Sequence, residues 1–307
     1  MKKLKLLLLL LLVLVATGQA EAKKVTLKYR LTKGQEFILE KNIKSEISQE
    51  VMGESQTIGS SVTFQYDFKV LGLTGNGDFI IEGELSHVTM NTNSPMGELK
   101  FDSDSVAEIP EWATAIMITF GETFQFTLNS NGLVRGFKAS ESLKQKFDSL
   151  TNVTNAQNQM LAGLSSGISS ESGLSQMLQG FMIQYPGQAV KKGKTWEKEE
   201  EFDQLIPFKT KTIYTLKKSD ADGYQINVNK QITQKDSTSI EMQGMTMEYD
   251  LSGSGQGTYT IDSESGLVIH GEIVTSITGL ISVDSPQLPT PMTIPMTFKT
   301  TETATLK

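Results

Sequence analysis

The stretch SVTFQYDFKV (Ser61–Val70) alternates Val62, Phe64, Tyr66, Phe68 and Val70 with Thr63, Gln65, Asp67 and Lys69. A period of two sets all the apolar side chains on one face of a β-strand and the polar ones on the other. The stretch therefore predicts a strand with one buried and one wet face. Next along the chain, GDFIIEGELSHVTM (Gly77–Met90) places Phe79, Ile81, Leu85 and His87 on one parity, after a turn at Gly75-Asn76-Gly77. The two runs predict a hairpin. Similar alternation runs through Phe37/Leu39/Ile43/Ile47/Val51, Tyr224/Ile226/Val228/Ile232 and Leu267/Ile269/Ile273/Ile277/Ile281. In IEMQGMTMEYDL (Ile240–Leu251) the apolar parity changes at Gly244, which predicts a β-bulge there. A last run, Met292/Ile294/Met296/Phe298, contains Pro295 and so predicts an edge strand.

Between these strand-rich ends, residues 140–185 are rich in Ser, Gln, Asn, Leu and Met. Leu174, Met177, Leu178, Phe181, Met182 and Tyr185 recur at helical spacing, so an amphipathic helix over about 172–185 is expected, stopped by Pro186. Leu143, Phe147 and Leu150 mark a shorter helix over 140–150, and LSSGISSESG (Leu164–Gly173) reads as a loop. Successive strands with no helices between them exclude a parallel sheet. The expected fold is α+β and predominantly β: a large curved antiparallel sheet, half-barrel-like, packed on a few helices at its concave side. Residues 23–307 read as a single β-rich domain with room for two similar halves, 23–138 and 186–307, around a helical insert at 139–185.

Two phrases recur in one order. KGQEF (Lys33–Phe37) precedes FTLNSNGLVRGF (Phe126–Phe137), and KGKTW (Lys192–Trp196) precedes YTIDSESGLVIHGEI (Tyr259–Ile273). Each longer phrase is an aromatic-Thr-apolar strand, a turn of Asn or Asp with Ser and Gly, and Gly-Leu-Val entering a return strand. Gly132 and Gly266 are expected at the positive-φ position of those turns.

The first 22 residues read as an export signal, with Lys2, Lys3 and Lys5 before an apolar run of ten residues, Leu6–Val15, and Ala20-Glu21-Ala22 as the cleavage pattern. Ten residues are too few to cross a bilayer as a helix. The chain has no Cys, which excludes disulfides, thiol catalysis and Cys-ligated metals, and no lipid-anchored Cys follows the apolar run. A net charge of −7 argues against a nucleic-acid partner, which calls for clustered cations. The expected product is exported, periplasmic or secreted, not lipid-anchored, with no transmembrane segment once the signal is removed.

The opening LKYRLTKGQEF (Leu27–Phe37), the later PGQAVKKGKTW (Pro186–Trp196) and the closing GSGQGTYTID (Gly253–Asp262) resemble the motifs of a family of exported bacterial proteins that carry only a domain of unknown function. The resemblance covers nearly the whole mature chain. It implies long antiparallel strands curved around helices, similar to the half-barrels of bacterial lipoprotein carriers, and it implies no activity.

Catalytic motifs are sparse. Gly163-Leu164-Ser165-Ser166-Gly167 matches a nucleophile pattern, but the chemistry requires a strand before the Ser and a helix after it. Of the two histidines, His87 shares the apolar parity of its strand and His270 faces away from Ile269 and Ile273; neither has metal-ligand spacing. Asp102/Asp104 and Asp220/Asp222 read as turn residues. The sequence thus assigns no catalytic residue, metal or cofactor. Its reading is a non-enzymatic binding module for an apolar molecule such as a lipid, or for an envelope protein, with Met177, Phe181, Met182, Met245 and Met247 as ligand-binding candidates, since Met suits variable apolar contacts. The alternatives are a hydrolase using Ser165 and a structural or assembly protein of the cell envelope.

Overall fold

The structure is a computed structural model; it describes residues 24–307 except 52, 96, 106–112, 114–116, 151–170, 203–205, 221–222, 236–237, 243–244 and 286–289. Thirteen strands form one antiparallel sheet. In chain order they are β1 (Glu36–Val51), β2 (Glu54–Leu73), β3 (Phe79–Ser94), β4 (Gly97–Asp102), β5 (Thr123–Leu128), β6 (Val134–Ala139), β7 (Thr195–Phe202), β8 (Phe208–Asp220), β9 (Gly223–Gln234), β10 (Thr238–Met242), β11 (Met245–Ile261), β12 (Val268–Asp284) and β13 (Met292–Leu306). Helices α1 (Glu141–Leu150) and α2 (Glu171–Phe181) lie between β6 and β7 in the chain. This is the predominantly β, α+β fold that alternation predicts. The β2–β3 hairpin also forms as expected, turning through Thr74–Asp78 with Gly77 at φ +85°.

Across the sheet the order is β6-β5-β3-β2-β1-β13-β12-β11-β9-β8-β7, with β4 on β3 and β10 on β11. The series β6-β5-β3-β2-β1 and β12-β11-β9-β8-β7 repeat one order, and β13 fills the place between them. The recurring phrases make recurring bonds. Gly34 N–H donates to Val70 O (2.8 Å) and Val70 N–H to Gln35 O (2.9 Å), while Gly193 N–H donates to Leu216 O (2.7 Å) and Leu216 N–H to Lys194 O (3.1 Å). In the β5–β6 turn the Asn129 side chain accepts from the Asn131 and Leu133 amides; in the β11–β12 turn the Asp262 carboxylate accepts from Glu264 and Ser265. Gly132 and Gly266 sit at φ +90° and +76°, which residues with a Cβ seldom adopt.

Both turns are tied to one segment. Tyr29 N–H donates to Ser130 O and Arg30 N–H to Ser265 O, each at 2.8 Å, and Val25 pairs with Val190. Residues 25–31 and 182–190 therefore close one end of the curved sheet, with Leu27 and Tyr29 of the first segment buried. The same contacts explain why α2 ends at Phe181 and not at Tyr185. The Ile183 amide donates to the Tyr29 hydroxyl (3.0 Å), and the Tyr185 amide donates to Asn131 O (2.8 Å), so residues 183–185 are held outside the helix by tertiary partners. Leu174, Leu178 and Phe181 form the expected buried stripe; Met182 and Tyr185 are buried as well, but beyond the helix.

One expectation is corrected. β13 is central, not an edge strand. Its pairing with β1 stops at Gln49↔Met296, so at Pro295 the strand has a partner on one side only, Leu280 of β12. The missing N–H is tolerated because that stretch is locally an edge. The bulge expected at Gly244 lies outside the described residues; on either side of it β10 and β11 pair antiparallel, Met242 with Met245.

A Cβ at Gly132 would stand 2.0 Å from Ile183 O, and one at Gly266 would stand 2.2 Å from Lys28 O. Gly132→Val and Gly266→Val are each expected to cost about 2 kcal/mol or more, from backbone strain and overpacking together. Urea unfolding of both variants checks this. Sensitivity at only one site contradicts the equivalence of the two turns.

Candidate functional site

The register sorts the concave face into rows that cross many strands. Toward the closed end, Phe37, Leu39, Tyr66, Phe68, Ile81, Leu85, Phe124 and Phe126 are buried in one core cluster with α2. Tyr66 meets Phe181 edge-on with ring centroids 5.4 Å apart, and its hydroxyl donates to Met177 Sδ at 3.7 Å. Burial pushes the Tyr66 hydroxyl well above the ordinary tyrosine range. A cavity of about 20 Å3 remains beside Lys41, Phe181, Tyr259 and Glu302, room for roughly one water.

Above this core the face turns polar. Lys41 pairs with Glu302 at 2.8 Å and lies over the Phe181 ring, 5.2 Å from its centroid. The Lys41 charge holds the Glu302 carboxyl down, from its ordinary 4.5 to about 2, against the opposing effect of burial and with help from Lys230. The next row reads Lys198–Thr212–Lys230–Gly255–Thr275–Thr300–Ser45–Ser60 across eight strands. Lys198 is partly buried and pairs with Glu200 at 2.7 Å; burial lowers its pKa, and the nearby Lys230 charge lowers it further. Thr212, Thr275 and Thr300 are each more than nine-tenths buried.

Beyond the polar row the face becomes apolar again, toward the open end. Ile58, Ile47, Phe298 and Ile277 form one row, Met296 follows, then Ile294 and Ile281, then Met292, Val283 and Met247. All of these are partly exposed and none belongs to the core cluster around α2. The opposite parity of β13 is Thr293, Pro295, Thr297, Lys299, Thr301, Thr303 and Thr305, so the convex side of this strand is mostly polar.

Curvature comes from GSGQG. A Cβ at Gly253 would stand 2.5 Å from Ser276 O, at Gly255 2.7 Å from Thr275 Oγ1, and at Gly257 2.0 Å from Glu272 O. β11 and β12 approach each other too closely on the concave side for side chains at these three positions. Glycine permits the inward bend.

The five binding candidates read from sequence fall into two groups. Met177, Phe181 and Met182 pack in or against the closed-end core, Phe181 and Met182 fully buried. Met245 and Met247 stand at the open end of β11, partly exposed. Met247 and Tyr259, the latter beside Phe181, are twelve residues apart on one strand, about 40 Å. One ligand contact does not unite the groups. The polar row and the Phe298–Ile277 patch were not singled out by sequence, because they are assembled by register between strands distant in the chain.

His87, Asp102 and Asp104 do come together, with ligand atoms within 4.8 Å of one another. His87 Nδ1 lies 3.2 Å from Asp104 Oδ1 and 3.3 Å from Ser103 Oγ. A Ser-His-Asp relay places Ser and carboxylate on different ring nitrogens. Here both meet the same one. Asp102 also accepts from the Asp104 amide, the turn role expected of it. Ser165 and its Gly163–Gly167 pattern lie outside the described residues. Among the described residues no helix is long and apolar enough to cross a membrane.

A family of unknown function, DUF6263, matches residues 76–268, more than half of the 307-residue chain. The chain belongs to that family. A domain of unknown function is what the recurring motifs implied. No curated protein matches the chain. Among solved structures, one described as lipid-protein interactions in lipovitellin is similar with a TM-score of 0.46 and 11% identity, covering 91% of this chain. The match spans 25% of the lipovitellin chain. The crystal structure of OccK7 (OpdD) from Pseudomonas aeruginosa gives a TM-score of 0.22 and 7% identity, covering 89% of this chain and 99% of that one.

The Lys41–Glu302 pair sets a pH dependence. A carboxyl held below its unfolded-state value stabilises the fold above that value, and the contribution is lost as pH falls from about 4.5 toward 2. Glu302→Gln should cost about 2 kcal/mol at pH 7, by stranding Lys41 on a largely buried face. Urea unfolding at pH 7 and pH 3 should show a smaller acid-induced loss in the variant than in the wild type.

Proposed function

We propose that this chain is an exported, non-enzymatic binding module that holds an apolar molecule on the open half of its concave face. One observation carries the reading: Ile47, Ile58, Ile277 and Phe298, then Met296, then Ile281 and Ile294 form an apolar patch, bordered on β1 and β2 by Gln49 and Gln56, that stays partly exposed beside the core around α2. Large exposed apolar patches on a monomer mark interaction surfaces. The closed half offers a ligand little room, since α2 fills it. Export rests on the signal pattern of residues 1–22.

Native mass spectrometry of the protein purified from its own compartment tests the reading. A retained lipid-sized mass is expected, and Phe298→Glu should abolish it with little loss of stability, because Phe298 is outside the core. Bare protein in every preparation, with no uptake of an added long-chain lipid, overturns the reading.

A further inference from the structure

The polar row that divides the concave face contains groups that folding alone does not use. Thr300 is 7% exposed, and its Oγ1 has no hydrogen-bond partner. A buried hydroxyl without a partner costs about 1–3 kcal/mol. Neighbours in the row are apt for a ligand oxygen. Thr275 is equally buried and directly opposite Thr300. Gly255 has no side chain and lies between Thr275 and Lys230, whose Cβ stands 3.4 Å from the place a Gly255 Cβ would occupy.

Charge points the same way. Around the row stand Lys41, Lys198 and Lys230 against Glu200 and Glu302. Lys41 is paired to Glu302 and Lys198 to Glu200, so both carboxylates are used. Lys230 is partly buried, acts on Lys198 and Glu302 through space, and among the described residues makes no ion pair within 4 Å. One positive charge is left without a direct counter-ion. Lys230 and Thr300 are three strand spacings apart in the row, about 14 Å between Cα atoms on a flat sheet and less across a concave one. The lysine stem together with a bridging carboxylate spans that gap.

We infer that the row binds the carboxylate of a long-chain fatty acid, one oxygen accepting from the Lys230 ammonium and the other from the Thr300 hydroxyl. The hydrocarbon chain then runs over Ile277, Phe298 and Ile47 toward the open end. A single uncompensated charge fits a monoanion. Partly exposed apolar rows on the open-end side, with packed core on the other, fit a molecule with one polar end. The inference rests on the reading of an apolar-binding face and specifies its ligand class.

Isothermal titration with palmitic acid, with hexadecanol of the same chain length and with acetate tests it. Palmitate should bind the wild type about tenfold more tightly than hexadecanol, and acetate should not bind measurably. Lys230→Gln should remove that preference, weakening palmitate about tenfold and leaving hexadecanol unchanged. Thr300→Val should weaken palmitate while raising the unfolding midpoint of the ligand-free protein, opposite signs that a purely structural hydroxyl would not give. Equal binding of acid and alcohol, or unchanged palmitate affinity in Lys230→Gln, overturns the inference and leaves the apolar face standing. Failure of both palmitate and hexadecanol to bind overturns the two together.

Discussion

The structure depends on the insertion of one strand. β13, the last in the chain, enters between β1 and β12 and pairs with both along much of its length. Without it, the series that begins with β1 and the series that ends with β12 would each expose an edge where they now join, and an unpaired edge strand is a hazard in water. With it, the two series form one sheet. Pairing across more than two hundred residues of sequence is slow to form, because loop closure precedes any gain from the contacts. The fold is therefore complete only when the last strand is in place.

One continuous sheet whose inner face is apolar has to cover that face. At the closed end the cover comes from residues 25–31, α2 and residues 182–190, tied by Tyr29, Asn131 and Gly266. Curvature comes from β11, where Gly253, Gly255 and Gly257 let the backbone of β12 approach. The long strands β1, β2, β11, β12 and β13 then continue past the core, where inner residues such as Ile47, Ile58, Ile277 and Phe298 remain partly exposed while Tyr249 and Leu251 of β11 are buried. The polar row lies where the two regimes meet. Its lysines and threonines separate a packed face from one whose residues are mostly partly exposed.

Much of this was legible in the chain. Period-two alternation located β2, β3, β9 and β12, since a half-buried strand imposes that pattern wherever it lies in the sheet. The paired phrases showed equivalent turns, because Asx turns and positive-φ glycines are local chemistry. What failed was set by partners remote in sequence. Pro295 looked like an edge residue, and only the place where β1 stops shows how a central strand accommodates it. The end of α2 is decided by the Tyr29 hydroxyl, 154 residues away from Ile183. Thr300 and Lys230 are unremarkable as letters; their meaning comes from register across four strands.

On the proposed reading the open half of the concave face takes an apolar ligand, while the helix-covered half is core. Methionine oxidation, read by mass spectrometry with and without a long-chain fatty acid, separates the two directly. Met247, Met292 and Met296 are partly exposed on the open half, and Met182 is buried near α2. Fast oxidation of the first three in the free protein is expected, with marked protection of them by the fatty acid and slow oxidation of Met182 in both states. Equal oxidation of Met247, Met292 and Met296 with and without the fatty acid, or protection confined to Met182, would contradict it.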